Sequence, residues 1–249
     1  MKPVDAKELL KLDPEMQVIK LQSYPNPEQV VWQAGKTDYS EDPIHYREVP
    51  VQSKCGEWIV DQLLSNDRGH YGCLEHPQIT LSCSGFVHNV MVQARTHRIG
   101  TTWDCQSQRY TGKRVEKVAR GELDVKKVFY VRPPGFYINR QGKKYQWTED
   151  HYNDELHFCK QASIRYADKS TEMAEEHLRD YLPQSIRQNF TVSFNLRSVL
   201  HFLDLRAKKD AQLEIQALCE SIVPILKVWA PSVWNYYEEK RLYRAKLSP

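Results

Sequence analysis

"FTVSFNLRSVLHFLDLRAKKDAQLEIQ", Phe190 to Gln216, is where the chain changes period. Phe190–Asn195 alternates apolar and polar residues and includes β-branched Thr and Val, the pattern of a half-buried strand. From about Ser198 to Trp229 the spacing becomes helical, divided near Asp210–Ala211, with Ile215, Cys219, Ile222 and Leu226 as an apolar seam. Arg197 and His201 are four residues apart, so they share a helical face. Asn195 lies just before them and Arg206 near the next break. Leu200, Phe202, Leu203 and Leu205 can bury the opposite face, and Asp204 with Lys208 has the spacing of an exposed ion pair. A lone histidine on such a helix is more often structural. Here an amide, two guanidiniums and an imidazole gather at a strand-to-helix corner, where ligand-binding groups are common.

A second dense stretch lies upstream: "RTHRIGTTWDCQSQRYTG", Arg95 to Gly112. The β-rich runs before it read as strands over Ile79–Ser84 and Val90–Arg95, joined around Gly85, so the stretch is expected to begin where a strand ends. Guanidiniums such as Arg98 and Arg109 bind phosphate through paired, charge-assisted hydrogen bonds. The hydroxyls of Thr101, Thr102 and Ser107 can add neutral donors. A solvated basic loop is the competing reading. Ser107 as a hydrolase nucleophile is disfavoured, because no G-x-S-x-G elbow and no local triad surrounds it. Arg179 in "LRDYLP" reads by itself as an arginine interacting with a helix C-terminus. His70 and His76 in "RGHYGCLEH" lack further ligands at matching spacing, so no metal site is expected.

The remaining chain supplies the frame. The first fifty residues are polar and Pro-punctuated, with a strand possible at "IKLQSYP" and a loop at "TDYSEDP". Val51–Leu64 reads as a helix, Val128–Val131 as a strand, and "FYINRQGKKYQW" as a hairpin turning at Gly142. A helix is expected from Thr148 to Tyr166, another from Ser170/Thr171 to Pro183, and a polar surface helix in "VWNYYEEKRLYRAKL". Strands do not alternate regularly with helices. The fold class is therefore α+β, with a central antiparallel or mixed sheet flanked by long helices. There is no Gly-rich dinucleotide loop and no P-loop. The 249 residues are expected to form a single domain, 1–249, with an N-terminal extension over 1–50 and a hairpin-containing insertion over 113–150.

Composition narrows the function classes. A formal charge of +3 is small, and a local cationic pocket for a small anion fits it better than a nucleic-acid surface. The six cysteines form no CxxC pair, and no apolar leader or membrane-length run is present. Reduced thiols in the cytoplasm, with no membrane partner, are the expectation.

Taken in order, "GHYGCLEH", "THRIGTTWDCQSQRY", "LRDYLP" and "NLRSVLHFLDLRAKKDAQLEI" resemble the segments that mark the flavin-dependent thymidylate synthases, the ThyX family. The resemblance spans roughly His70 to Ile215, and the last segment is long and specific. Three departures stand out. Thr96 occupies the place of the first arginine of the Arg-His-Arg signature, with Arg95 one position earlier. Eight residues rather than seven separate Arg98 from Ser107. The acidic residue expected shortly before that serine is absent, with Asp104, Cys105 and Gln106 in that stretch. His201 also replaces a common Asn. These features mark a divergent subgroup.

The resemblance implies a homotetramer with FAD at subunit junctions and sites shared between subunits. It implies dUMP as the small-molecule substrate, methylenetetrahydrofolate as carbon donor and NADPH as reductant. By position, His70, Thr96, His97, Arg98, Asn195, Arg197 and His201 would line the flavin site. Gln93, Ser107, Gln108, Arg109, Arg179 and Arg206 would hold the nucleotide. Arg206 is expected to stabilise charge on the pyrimidine, and Ser107 to position it by hydrogen bonding. Two alternatives remain. One is a flavin-dependent hydroxymethylase acting on dUMP or dCMP. The other is a nucleotide-binding protein without turnover.

Overall fold

The computed structural model describes residues 2–65 and 68–243. Ten helices and six strands follow in chain order among the described residues. They are α1 (Ala6–Leu12), β1 (Gln17–Ser23), α2 (Pro27–Thr37), α3 (Gln52–Ile59), β2 (Gln78–Val87), α4 (His88–Ala94), β3 (Thr101–Cys105) and α5 (Lys113–Ala119). Then come β4 (Gly135–Ile138), β5 (Lys144–Trp147), α6 (Glu149–Lys169), α7 (Glu175–Leu178), β6 (Arg187–Asn195), α8 (Leu196–Arg206), α9 (Leu213–Trp229) and α10 (Pro231–Lys240). The architecture is α+β, as the irregular order of strands and helices predicts. A four-stranded sheet has the order β1-β2-β6-β3, and β4 and β5 form a separate antiparallel hairpin around Gly142. Asn195 N donates to the Gly100 carbonyl and Gln106 N to the Asn189 carbonyl, so β3 runs antiparallel to β6. Among the described residues no helix is long and apolar enough to cross a membrane.

The chain divides into two compact units. The first comprises Met1–Gln17, Cys83–Thr96 and Asp104–Phe190; the second comprises Val18–Ser82, His97–Trp103 and Thr191–Pro249. In the first, α5 and α6 pack around Val115, Val118, Phe129, Cys159 and Tyr166. Helix α6 starts where the sequence places it, because Thr148 and His151 cap each other's backbone amides. A buried pair, Arg187 with Asp13 at 2.8 Å, is completed by Arg187 donating to the carbonyls of Gly85 and Lys126. Every charged donor there has an acceptor, which is what makes burial of the pair tolerable.

In the second unit α2 packs on α3, and α8, α9 and α10 surround an apolar core that includes Ile215, Ile222, Val233 and Trp234. Glu28 of α2 is fully buried, and its Oε1 accepts from the amides of Ser232 and Val233 in the first turn of α10. That carboxylate satisfies amides that the first turn of a helix leaves without partners. Asp204 ties α8 to α10 in the same manner: its oxygens accept from the Tyr237 hydroxyl at 2.7 Å and the Arg241 guanidinium at 3.1 Å.

Several elements differ from the sequence reading. Val90–Arg95, expected as a strand, is the end of helix α4 with Arg95 as its C-cap: Val90, Met91 and Ala94 bury one helical face and outweigh the β-propensity of the valines. Gly85 does not turn the chain. It sits inside β2 at φ +74°, where a Cβ would collide with the Glu15 carbonyl. The stretch from Arg95 therefore begins where a helix ends, and its middle, Thr101–Cys105, is itself a strand. Val128–Val131 makes only an isolated bridge, Phe129 with Ile186, because Val125–Lys127 turns as a 3₁₀ helix immediately before it. Ser170 ends α6 instead of starting a helix, and the next helix is the single turn α7. Asp204 is buried rather than paired with Lys208 on the surface, and Leu205 is exposed. Helix α10 buries Val233, Trp234 and Tyr237, so it is a core element; the end of the expected tail helix, residues 244–247, lies outside the described residues.

Removing the Tyr237 hydroxyl leaves one Asp204 oxygen without that donor in a dry environment. Tyr237→Phe is expected to cost about 1–3 kcal/mol in urea unfolding, the usual penalty for a buried polar group that loses a partner. An unchanged midpoint would remove this clamp from the account of the fold.

Candidate functional site

The second unit brings His97, Asn195, Arg197, His201 and Arg206 onto or beside α8. Asn195 is the N-cap of α8: its side-chain oxygen accepts from Ser198 N at 2.8 Å. The turn after His97 closes onto this cap. Ser198 Oγ donates to the Ile99 carbonyl, and Gly100, at φ +64°, lies so close that a Cβ would collide with Ser198 Oγ and Asn195 Nδ2. Only glycine fits both the angle and the space. The His97 carbonyl accepts from Thr101 Oγ1 at 2.5 Å and Trp103 Nε1 at 2.9 Å. The backbone of His97 is thereby fixed.

The His97 ring is buried, edge-on to Phe202 at 5.0 Å and to His201 at 5.6 Å. Its Nε2 accepts a hydrogen bond from Arg206 Nε at 2.9 Å. An imidazole that accepts at Nε2 carries its proton on Nδ1 and is neutral. Burial, then the Arg206 charge, then His201, push its pKa down to about 4. His201 Nδ1 is buried and has no hydrogen-bond partner. Arg197 pairs with Glu75 at 2.6 Å and lies over the Tyr71 ring at 5.9 Å. Arg98 is exposed and makes no hydrogen bond or ion pair among the described residues.

His70 belongs to the same unit and contacts Tyr39 edge-on at 6.3 Å. It forms a wall of two surface clefts. One, about 380 Å³, also has Asp38, Cys73 and His76; the other, about 470 Å³, has Lys36, Tyr39, Trp58, Gln62 and Arg68. No set of three His, Cys, Asp or Glu among the described residues is arranged to hold a metal ion.

The first unit carries Gln93, Thr96, Ser107, Gln108, Arg109 and Arg179. Gln93 is on α4, and its carbonyl accepts from Thr96 Oγ1, which closes that helix. Ser107 Oγ accepts from Arg109 N at 3.3 Å in a turn that the Thr111 hydroxyl also braces. Arg109 and Arg179 meet at one residue: Arg109 pairs with the Glu176 carboxylate at 3.5 Å, while Arg179 Nε donates to the Glu176 carbonyl. Arg179 is thus at a helix end, as its spacing predicts, and beside the other arginine. Just before Ser107, the exposed Cys105 donates to Gln188.

Three supporting residues escape the sequence reading, Glu75, Glu176 and Trp103, while Thr101, read there as a neutral donor for an anion, donates instead to the His97 carbonyl. A β-branched and aromatic run, Thr101-Thr102-Trp103 after Gly100, is the signal that could have identified β3. The two glutamates carry no local signal, because Glu75 and Arg197 are separated by 122 residues.

Two outcomes follow from the His97 turn. Gly100→Ala is expected to destabilise by at least about 2 kcal/mol in urea unfolding, from strain at positive φ together with the collision. The folded pKa of His97 lies below the unfolded value near 6.5, so the unfolded state takes up the proton first on acidification. This group's contribution to stability is complete above about pH 6.5 and is lost as pH falls toward about 4. Thermal unfolding between these limits should show a shallower decline in His97→Gln, whose amide oxygen still accepts but does not titrate. An identical pH profile would exclude His97 as the source.

Comparison with known proteins identifies the family. The family model described as thymidylate synthase complementing protein, Thy1, matches residues 20–232. A flavin-dependent thymidylate synthase from Halobacterium salinarum is 30% identical, across 94% of this chain and 100% of its own length. One from Haloarcula marismortui is 28% identical, across 90% and 96%. Among solved structures, ThyX from Helicobacter pylori with FAD and dUMP has a TM-score of 0.66 at 17% identity, covering 90% of this chain and 98% of that one. The UMP/dUMP methylase PolB from Streptomyces cacaoi, bound to 5-Br UMP, reaches 0.70 at 18% identity, covering 94% and 96%. These two structures share the fold. With the family model spanning most of the chain, this protein belongs to the thymidylate synthase complementing protein family, the flavin-dependent thymidylate synthases.

Proposed function

We propose that the protein catalyses reductive methylation of dUMP to dTMP, with FAD as cofactor, methylenetetrahydrofolate as carbon donor and NADPH as reductant. The observation that carries the reading is the guanidinium of Arg206, which lies on the same helix as Arg197 and His201 and is fixed by a neutral His97. Arg98, His201 and Arg197, with His97, Asn195, Thr96 and His70, are the groups that would hold the flavin. The donor set fits: the unpaired Arg98 suits a phosphate, and the orphaned His201 Nδ1 is a buried polar atom awaiting a ligand group. When bound, FAD would supply the redox chemistry of the reaction, so the protein would need no nucleophile of its own.

The chain's own residues bind and polarise. Arg206 at the N3/O4 edge of the uracil would stabilise negative charge developing on the ring and so raise the nucleophilicity of C5. Its contact with the uncharged His97 leaves that positive charge uncancelled by this partner. Arg109 and Arg179 would clamp phosphate and ring edge, with the nucleotide taking over from Glu176 as the anionic partner of Arg109. Gln93, Ser107 and Gln108 would orient the nucleotide by hydrogen bonds, with some of these groups supplied across subunits of a homotetramer.

Purified holoenzyme given dUMP, methylenetetrahydrofolate and NADPH should release a nucleotide heavier by one methyl group. A hydroxymethyl product, from dUMP or dCMP, would replace this reading with the hydroxymethylase. Nucleotide binding with no product would replace it with a non-catalytic role. Arg206→Ala should lower turnover about a hundredfold while leaving bound flavin largely intact, the scale of losing one fixed electrostatic stabiliser. Near-normal turnover would refute the role of Arg206.

A further inference from the structure

The near balance of charge over the whole chain, 35 Lys and Arg against 32 Asp and Glu, is an average over unlike regions. Residues 125–148 hold six Lys and Arg and no Asp or Glu. Of these, Lys127 is neutralised by Glu15 at 2.6 Å. Arg132, Arg140, Lys143 and Lys144 belong to the β4–β5 hairpin and the chain leading into it. The pairing register, with Tyr137 opposite Tyr145 and Ile138 opposite Lys144, sorts the side chains onto two faces. Tyr137 is buried on the inner face, where its hydroxyl donates to the Pro133 carbonyl and Arg132 donates to the Tyr145 hydroxyl at 2.7 Å. The base of the ribbon is fixed by Val4 N, which donates to the Phe136 carbonyl at 2.8 Å. The outer face presents Phe136, Ile138, Lys144 and Gln146, and the Lys144 ammonium lies 4.4 Å from the Phe136 ring centre. At the tip Arg140, Gln141 and Lys143 are exposed, and the side chains of Arg140 and Lys143 make no ion pair among the described residues. Charge on an edge strand also keeps hairpins from pairing with one another, but either sign serves that purpose. Here one sign alone is present.

We propose that the hairpin docks on double-stranded DNA, with its outer face and tip in the major groove and Arg140, Lys143 and Lys144 against phosphates. A two-stranded ribbon fits that groove, whereas the major groove of an RNA duplex is too narrow for side chains to read. Single strands are held on free ring faces, and the rings here already have partners over them: Phe136 has Lys144, Tyr137 has Arg132 at 5.0 Å, and Trp147 has His151 at 5.0 Å. A membrane surface is held by buried apolar area, and beyond Ile138 the tip carries only amides, cations and a glycine. Docking of this kind does not depend on the proposed reaction.

Fluorescence anisotropy of a labelled DNA duplex of about two helical turns, titrated with the purified holoenzyme at several salt concentrations, provides the test. Three phosphate contacts predict that log affinity falls against log salt with a slope of about −3. Arg140→Gln combined with Lys143→Gln should bring the slope to about −1 and weaken binding about tenfold at low salt. Both side chains are exposed at the tip, so the fold does not depend on them. Lys20→Gln combined with Arg47→Gln removes the same charge from exposed positions elsewhere and should leave the slope unchanged. Absence of binding, or a slope unaltered by the tip variant, overturns the proposal, as does an equal change in the second variant. So does an RNA duplex or single-stranded DNA bound as tightly as the DNA duplex. Binding to phosphatidylserine vesicles without binding to the duplex would reassign the hairpin to a membrane surface and likewise overturn it.

Discussion

The hydrogen bond from Arg206 Nε to His97 Nε2 is the constraint from which the second unit's site is built. It forms only while the imidazole is uncharged, since a protonated ring has no acceptor to offer. Burial of the ring and the neighbouring positive charge both disfavour protonation, so the bond and its electrostatic setting reinforce each other. Geometry is fixed at each end. The backbone of His97 is pinned through its carbonyl by Thr101 and Trp103, and the following turn is seated on the α8 cap through Gly100. The last turn of α8, which carries Arg206, is fastened to α10 through Asp204. A guanidinium positioned from both sides loses little freedom when a ligand arrives.

Helix α8 also places its two arginines in opposite electrostatic settings. Arg206 lies at the C-terminal end, where the helix dipole favours a cation. Arg197 lies in the first turn, where the dipole disfavours one, and Glu75 supplies the compensating charge at 2.6 Å. The same arrangement recurs at Arg109, whose partner Glu176 is a carboxylate at a half-exposed site. Exposed pairs of this kind contribute little stability, so exchanging the carboxylate for a ligand phosphate costs the fold little.

Much of the frame is legible in the sequence wherever a local signal agrees with the tertiary one. The switch of period after Asn195, the seam of α9, the hairpin at Gly142 and the Thr148 cap are all of this type. The failures occur where the two disagree. The valines of α4 favour a strand locally, yet the buried face of that segment has helical spacing. Asp204 has surface spacing with Lys208, yet Tyr237 and Arg241, more than thirty residues later, supply the partners that let it be buried. Arg206 and His97 show the same limit in the site. Each is visible in its own motif, but their contact across 109 residues is encoded in no local pattern.

The eight-residue spacer between Arg98 and Ser107 gains a physical meaning from β3. Between Gly100 and Gln106 the strand advances six residues while its partner β6 recedes six, from Asn195 to Asn189, so the pairing stays in step. Side chains alternate along a strand, and a shift of one residue within it would exchange the faces of Trp103 and its neighbours. Trp103 would then no longer present its indole N–H to the His97 carbonyl, and one of the two groups that fix His97 would be lost. A stretch that reads as a basic loop is therefore a measured length of sheet. Its register sets where the turn that follows His97 ends. Any change in that spacing has to be absorbed in the turns, at Ile99 or beyond Gln106, because the paired segment cannot take it up without turning the His97 support away.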